Sequence, residues 1–351
     1  MDLVQRSVEI VRGGQHAGRA YVASPEFPTY RYAWVRDGSF VALAMDAVGH
    51  HDSAHAFHRW VARVVLRHRH RVEAIPDPPP RTVEDRMVLH ARYTLEGEEG
   101  EEPWPNFQLD SYGFWLSSLA HHLAATGRGR GEFRRAVEVV VRFLSLLWDR
   151  PCADCWEEHP DRRHPTSLAA VAAGLRAAGR ALGLPAAEAL GARVLAHVLE
   201  RGTVGGALAK FEGSEAVDGS ALLVLGPMGP FQPDGPVAQP TLDRVERELV
   251  GDGGLRRYAW DEYYGGGLWV PLAGALAWVR ALRGEARRAR EHLRWVEGTA
   301  REDGALPEQV ATHLLRPDRL RAWEERWGPV ACPLLWSHAM YLLAARSLGT
   351  D

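Results

Sequence analysis

Apolar residues recur at three- and four-residue spacing along most of this 351-residue chain, which is the pattern of one buried face of an α-helix. In the last such segment Leu335, Ala339, Leu342 and Leu343 share one face. Glycine and proline stand at many of the segment ends, where helices stop. The pattern predicts about twelve helices, near residues 2–12, 38–48, 51–68, 109–126, 131–149, 165–182, 185–201, 218–225, 240–250, 266–282, 285–299 and 333–348.

Some of these segments are apolar around much of their circumference rather than along one face. Residues 268–282 and 167–182 are the clearest cases. A helix of this kind is buried on more than one side. A double ring, in which inner helices are surrounded by outer ones, explains this pattern, whereas a single bundle would not need so many helices. We therefore predict an all-α fold.

Two stretches depart from helical periodicity. Residues 19–24 read as a short strand in a hairpin, so minor β excursions are expected. Residues 71–108 contain three consecutive prolines and the acidic run 96–102, and they are predicted to form a loop excursion. Because no stretch resembles a flexible linker, we expect residues 1–351 to form a single domain.

The overall charge excludes some classes of partner. A net charge of −3 provides no field that would attract nucleic acid or an anionic membrane, and the run Arg67–Arg71 is interpreted as a solvated helix face. No apolar run reaches ~18 residues and no secretory leader pattern opens the chain, so a cytoplasmic protein is expected.

The cysteines give little indication of redox or metal chemistry. There are three, an odd number that argues against a disulfide framework, and Cys152 and Cys155 form a C-x-x-C pair. No second Cys or His pair stands at the spacing of a zinc site. We therefore expect neither a metal nor a cofactor.

Candidate chemistry is concentrated in six segments that lie beside predicted helices. They span residues 28–40, 104–113, 152–158, 256–269, 303–310 and 335–338. If alternate loops of a helical ring gather at one end, these segments line a single mouth, and loops on a rigid scaffold commonly carry catalytic residues. The segments contain six tryptophans, namely Trp34, Trp104, Trp156, Trp260, Trp269 and Trp336.

The same segments contain charged residues that suit a sugar ligand. Sugars present apolar C–H faces to aromatic rings and hydroxyl edges to charged hydrogen-bonding groups. The available groups are Arg36, Asp37, Asp110, Asp154, Arg257 and Asp261. The alternative is that the tryptophans fill the core and that the Arg–Asp pairs tie loops together.

Taken in order, the motifs resemble those of glycoside hydrolase family 15, the glucoamylase-like enzymes. The matching segments are YAWVRD at 32–37, QLDSYG at 108–113, DCWEE at 154–158, RYAWDEYYGGGLW at 257–269, PEQ at 307–309 and LLWSHA at 334–339. The resemblance extends over about residues 20–347 and rests on the ordered set rather than on any one motif. It implies an (α/α)6 barrel, also called a six-hairpin toroid. Many family members carry an additional β-sandwich or starch-binding domain, and as a departure from them no such separate domain is expected within residues 1–351.

The resemblance also implies an inverting, exo-acting hydrolase that releases glucose from the non-reducing end of short α-glucans. Glu157 would be the general acid and Glu308 the general base, with Glu158 as a rival for the acid. Inversion requires two carboxyl groups ~6.5–9.5 Å apart, so that a water molecule fits between the sugar and the base. Glu157 would need a raised pKa, whereas Glu308 would stay ionised.

The remaining site residues follow partly from the resemblance and partly from the loop composition. The resemblance implies that Arg36, Asp37 and Arg257 grip the terminal glucose, that Trp34, Trp104, Trp269 and Trp336 wall the pocket, that Asp154 and Glu158 hold the next sugar and that Tyr30 neighbours Glu308. Adding residues from the loop segments, the predicted substrate-binding set is Tyr30, Trp34, Arg36, Asp37, Trp104, Asp110, Asp154, Trp156, Glu158, Arg257, Asp261, Trp269 and Trp336.

Three other functions remain open from the residues alone. One is a trehalase of similar architecture, and the second is a catalytically inactive carbohydrate-binding protein. The third is an unrelated helical barrel, such as a prenyltransferase-like fold, although no convincing metal cluster is evident. An oligosaccharide is the expected partner, and the oligomeric state stays undetermined.

Overall fold

The computed structural model describes residues 2–349. Within them the chain forms thirteen α-helices and only short two-residue strands. The helices are α1 (Leu3–Gly13), α2 (Val35–Ala47), α3 (His51–Arg67), α4 (Arg69–Glu73), α5 (Leu109–Thr126), α6 (Arg130–Leu147), α7 (Pro165–Leu182), α8 (Pro185–Arg201), α9 (Ala238–Leu249), α10 (Val270–Leu282), α11 (Ala286–Gly298), α12 (Pro317–Trp327) and α13 (Leu335–Ser347).

Six helical segments form a closed inner ring. In order around the ring they are α2, α5, α7, a 3-10 helix at Gly219–Val224, α10 and α13, and α13 contacts α2 to close the circle. These segments are buried almost all round; in α10, for instance, every residue from Val270 to Arg280 is buried. The inner segments are strongly apolar. Even so, no helix within residues 2–349 combines the length and hydropathy needed to cross a membrane.

Each inner segment is backed by one outer helix. The outer helices α3, α6, α8, α9, α11 and α1 pack against α2, α5, α7, the 3-10 helix, α10 and α13 respectively. An outer helix buries one face only: in α6 the buried residues include Phe133, Val137, Val140, Phe143 and Leu147. Six helical hairpins therefore form the double ring, and the predicted (α/α)6 barrel is confirmed.

The strands are short and lie in the loops. They are β1 (Ala33–Trp34), β2 (Arg92–Tyr93), β3 (Thr203–Val204), β4 (Ala207–Leu208), β5 (Val250–Gly251), β6 (Gly254–Leu255), β7 (Leu268–Trp269) and β8 (Gln309–Val310). They form three antiparallel sheets, in the orders β1–β2, β3–β4 and β5–β6–β7–β8. Strands β1 and β7 immediately precede the inner helices α2 and α10, so their pairing with β2 and β8 fixes the chain where it enters the ring.

Three details differ from the expectations. The strand expected at residues 19–24 is only an isolated bridge between Gln15 and Tyr21. The run 67–71 is not wholly solvated, because Arg71 is buried and forms a two-pronged ion pair with Glu99. Helix α12 was not predicted: none of its residues is buried, and its apolar face is only Leu320, Trp323 and Trp327 in an otherwise charged segment.

Candidate active site

A cavity of about 270 Å³ lies at the end of the barrel where inner helices begin. Trp34, Arg36 and Asp37 line it from the start of α2, Trp269 from the residue before α10, and Trp336 from the first turn of α13. Because the N-terminal ends of helices carry partial positive charge, this end of the barrel favours ionised carboxylates.

Most of the residues expected at the site lie on the surface of this cavity. They are Tyr30, Trp34, Arg36, Asp37, Trp104, Trp156, Glu157, Glu158, Arg257, Trp269, Glu308 and Trp336. The segment 71–108, expected as a loop excursion, contributes Trp104 to the wall. The three exceptions are Asp110, Asp154 and Asp261, which do not line the cavity and are described below.

Glu157 is held by a tight turn and by three donors. Its backbone has φ 69°, a left-handed conformation, and its N–H donates to the Asp154 carbonyl at 2.9 Å. The carboxyl oxygen Oε1 accepts hydrogen bonds from Trp34 Nε1 at 2.6 Å, Trp104 Nε1 at 2.8 Å and Gln108 Nε2 at 3.3 Å. All of these side-chain bonds go to one oxygen, so the other oxygen, Oε2, is available to a ligand.

Glu308 also lines the cavity, immediately before β8. Its backbone N–H donates to the Ala331 carbonyl at 2.9 Å, and its carbonyl accepts from Val270 N at 3.0 Å. The Tyr30 hydroxyl donates to Oε1 at 3.3 Å. Oε2 is buried and has no hydrogen-bond partner in the protein, although buried polar atoms are normally paired.

Burial controls the charge of Glu308. It raises the pKa of this carboxyl from 4.5 to about 8, against the lowering effect of Arg257. Burial likewise raises the pKa of the neighbouring Asp37 from 3.8 to about 6. In the protein alone, the expectation of a freely ionised Glu308 is therefore wrong, because the sequence does not show how completely this group is removed from water.

Asp110 lies behind the cavity wall and supports Arg36. The guanidinium Nη1 donates to Gln108 Oε1 at 2.8 Å and to Asp110 Oδ2 at 3.4 Å, and Nε pairs with Asp37 Oδ1 at 3.2 Å. Asp110 is fully buried. The prediction that Asp110 contacts a substrate is thus corrected: its carboxylate orients a guanidinium that does line the cavity.

Asp261 supports Arg257 in the same way. Arg257 Nε donates to Asp261 Oδ2 at 2.8 Å and Nη2 to Oδ1 at 2.5 Å, a bidentate pair. The same Nη2 donates to Glu158 Oε1 at 3.1 Å, and the guanidinium lies over the Trp269 ring at 5.1 Å. Asp261 is fully buried and does not reach the cavity, so its predicted contact with substrate is also corrected.

Asp154 shapes the turn that carries Glu157 and Glu158. Its Oδ1 accepts from the backbone N–H of Trp156 at 2.9 Å and of Glu158 at 3.0 Å. Its Oδ2 accepts from Lys210 Nζ at 3.2 Å, which also donates to Asp218 at 2.7 Å. With both oxygens committed behind the wall, Asp154 is corrected from a substrate ligand to a support of the turn.

Several cavity residues were absent from the predicted set. Tyr263, Trp323 and Trp327 line the cavity, and the Tyr263 hydroxyl shares a 2.5 Å hydrogen bond with the Tyr30 hydroxyl. The Trp323 ring lies 4.7 Å from the Tyr263 ring. A signal existed in the sequence: two tryptophans four residues apart in a charged segment fall on one helix face. Lys210, the only lysine, lies behind the cavity wall, where it binds Asp154 and Asp218. Nothing in the sequence indicated this role, because Asp154 is distant along the chain.

Comparison with known proteins identifies the family. The family described as Glycosyl hydrolases family 15 matches residues 1–280. An isomaltose glucohydrolase from Kribbella flavida is 42% identical over 357 residues, which cover 99% of this chain and 93% of that protein. A trehalase from Thermoplasma volcanium is 25% identical over 297 residues, covering 80% of this chain but 47% of the trehalase.

A solved structure of similar size also superposes closely. A glycosidase variant in complex with glucose has a TM-score of 0.95 and 41% sequence identity, with coverage of 99% of this chain and 96% of that chain. At this similarity both the ring of helices and the loops at its mouth have a counterpart of known structure.

Proposed function

Because this chain belongs to glycosyl hydrolase family 15, we propose that it is an inverting, exo-acting α-glucoside hydrolase that releases glucose from short α-glucans. The observation that carries the proposal is that Glu157 and Glu308 both line one cavity walled by tryptophans. Hydrolysis with inversion requires a proton donor on one side of the glycosidic bond and a base for water on the other.

Glu157 acts as the general acid. The donors Trp34, Trp104 and Gln108 all bind Oε1, so the proton is carried on Oε2 and passes to the oxygen of the leaving sugar. The same three N–H groups then stabilise the negative charge that remains on the carboxylate after proton transfer. They are in place before the reaction, so no reorganisation is needed at that moment.

Glu308 acts as the general base. Its buried Oε2 lacks a partner in the protein, which leaves it free to accept a hydrogen bond from the attacking water. The group works only after losing its own proton, and its pKa of about 8 makes it a stronger base than an ordinary glutamate once ionised. Positive charge that develops on the sugar ring further favours the ionised form.

The terminal glucose is held by charged groups and aromatic walls. Arg36 and Arg257 reach the cavity as oriented guanidinium groups, and Asp37 pairs with Arg36. Asp110 and Asp261 keep the two guanidinium groups in place and are positioning residues. Fixed donors of this kind match the hydroxyl edges of a sugar.

Exo-action follows from a cavity whose inner end is closed by side chains inside the barrel. The Phe40 ring lies 6.0 Å from the Trp336 ring and 4.9 Å from the Phe114 ring, and both phenylalanines are fully buried inside the barrel. A glucan therefore enters by its end and cannot thread through.

The ring from α1 to α13 is proposed to act as one catalytic unit, since α1 packs on α13.

Isomaltose-type α-1,6 glucosides are the proposed preferred substrates, because the isomaltose glucohydrolase is the more similar relative and matches over nearly its whole length. The trehalase alternative is weaker, since the similarity to the trehalase is lower and covers less than half of that protein.

Anomer-resolved proton NMR tests the reaction and the substrate together. Isomaltose, maltose and trehalose are supplied separately, and β-glucose is expected as the first product, fastest from isomaltose. First formation of α-glucose would disprove inversion. Release of glucose from trehalose alone would favour the trehalase, and sugar binding without turnover would favour an inactive binding protein.

A further inference from the structure

A second group of chemically active side chains lies away from the catalytic cavity. Asp46, His58 and His122 each offer one ligand atom, and these atoms all lie within 4.8 Å of one another. They come from α2, α3 and α5. None of the three lines the catalytic cavity. Asp46 lies near the end of α2, and Arg36 near its start, so the cluster is roughly 15 Å from that guanidinium along the helix axis at about 1.5 Å per residue.

His58 is the most unusual member of the cluster. It is fully buried, and neither ring nitrogen has a hydrogen-bond partner in the protein. A buried imidazole without partners is costly, since it has lost its hydrogen bonds to water without replacement. Its ring centre lies 5.1 Å from that of His122, and one of its ring nitrogens, which can bind a metal, lies within 4.8 Å of the ligand atoms of Asp46 and His122.

The other two members are already oriented by neighbours. His122 Nδ1 lies 3.0 Å from Asp46 Oδ2, and His122 Nε2 lies 3.0 Å from His55 Nδ1. His51 Nδ1 lies 2.8 Å from Asp46 Oδ1. His55 and His51 lie outside the proposed ligand set, and outer partners of this kind fix the orientation of metal-binding side chains. Asp46 and His51 also line a surface cavity, which provides an entry path for an ion.

We propose that Asp46, His58 and His122 bind a zinc ion that joins α2, α3 and α5 on the side of the barrel away from the catalytic cavity. Two neutral imidazoles and one carboxylate form a donor set that suits Zn²⁺, and water completes the tetrahedron. The ion gives His58 the partner that it otherwise lacks. Its role is structural, because it links two inner helices to an outer one, and it does not depend on the proposed glycosidase activity.

The test uses the purified full-length protein, stripped with a chelator and then titrated with Zn²⁺ or Co²⁺. We expect one equivalent of zinc per chain, a rise of several degrees in the melting temperature on adding zinc, and a visible Co²⁺ absorption band typical of tetrahedral ligation. His58→Gln should lose the band and the zinc-dependent rise in melting temperature. His70→Gln, which changes an exposed histidine of α4, is the matched control and should retain both.

The outcomes separate clearly. A stripped wild-type protein that shows neither the Co²⁺ band nor a zinc-dependent melting temperature overturns the proposal, as does unchanged binding in His58→Gln. Asp46→Asn provides a second variant that keeps the shape of the side chain and removes the charge. If both variants fail to fold, the wild-type titrations alone decide the matter, and loss of glucose release alone would bear only on the catalytic proposal.

Discussion

Glu157 and Glu308 share one cavity but have opposite hydrogen-bond surroundings. Glu157 receives three N–H donors at one oxygen, whereas Glu308 receives a single hydroxyl and keeps one buried oxygen without a partner. A carboxyl rich in donors is suited to carry negative charge after giving up a proton. A carboxyl with an unpartnered buried oxygen is suited to take a proton from water.

Replacing either glutamate with glutamine should remove one half of this chemistry. For Glu157→Gln and for Glu308→Gln we expect kcat on isomaltose to fall by ~10²–10⁴ or more, since an amide neither donates nor accepts the proton in the reaction. Glu302→Gln, an exposed control, should keep the wild-type rate. Near-normal turnover in either cavity variant would remove that residue from its proposed role.

The raised pKa of Glu308 also predicts a pH-dependent stability. The pKa is 4.5 in the unfolded chain and about 8 in the folded protein, so between these values the unfolded state releases the proton more readily. Folding is therefore increasingly disfavoured by this group as pH rises from about 4.5 to about 8.

Glu308→Gln should remove that destabilisation. Its melting temperature is expected to match the wild type at pH 4 and to exceed it by a few degrees at pH 8, as measured by circular dichroism. The Glu302→Gln control should show no such trend. A difference that is constant across pH, or one that is largest at pH 4, would contradict the raised pKa.

At the level of elements, α12 is unlike the other long helices. None of its residues is buried, yet it packs against the segment Tyr263–Gly265 and brings Trp323 and Trp327 to the cavity. Its contribution is thus directed to the ligand rather than to the core.

Trp323→Ala should therefore weaken substrate binding with little loss of stability. We expect KM for isomaltose to rise roughly 3- to 10-fold, because an aromatic contact contributes about 0.5–1.5 kcal/mol, with kcat less affected. Arg321→Ala, an exposed position on the same helix, is the control. A large fall in melting temperature with unchanged KM would instead mean that Trp323 serves the fold.

At the scale of the whole molecule, closure of the inner ring depends on close helix contacts. Between α5 and α7, a Cβ at Gly174 would lie 2.2 Å from the Gly113 carbonyl oxygen. Because that atom belongs to the backbone, it has little freedom to move aside.

Gly174→Ala should force α5 and α7 apart. We expect the free energy of unfolding to fall by about 1–3 kcal/mol or more, measured by denaturant titration. Gly131→Ala on outer helix α6, where a Cβ meets nothing within 4 Å, should be neutral or stabilising. Equal stability of Gly174→Ala and wild type would show that the ring is not packed this closely.

The long helices were predictable because an inner or outer position leaves a clear apolar pattern. Helix α12 was not, because its few apolar residues stand in a charged segment and its tryptophans line the cavity instead of packing into the core. The motif residues of the cavity could be listed from the family resemblance. Which of them reach the cavity surface could not be predicted. Asp110, Asp154 and Asp261 stand in the same motifs as cavity residues but bind other protein groups.

By itself, the sequence determined the helical class, the double ring and the family, since periodicity and ordered motifs are local properties of the chain. Only the tertiary structure decided which charged groups face the cavity, how strongly Glu308 holds its proton and that Asp46, His58 and His122 meet. The physical reason is that the burial of a residue and its hydrogen-bond or ion-pair partners depend on neighbours from distant segments of the chain. The spacing of residues along the sequence does not reveal those neighbours.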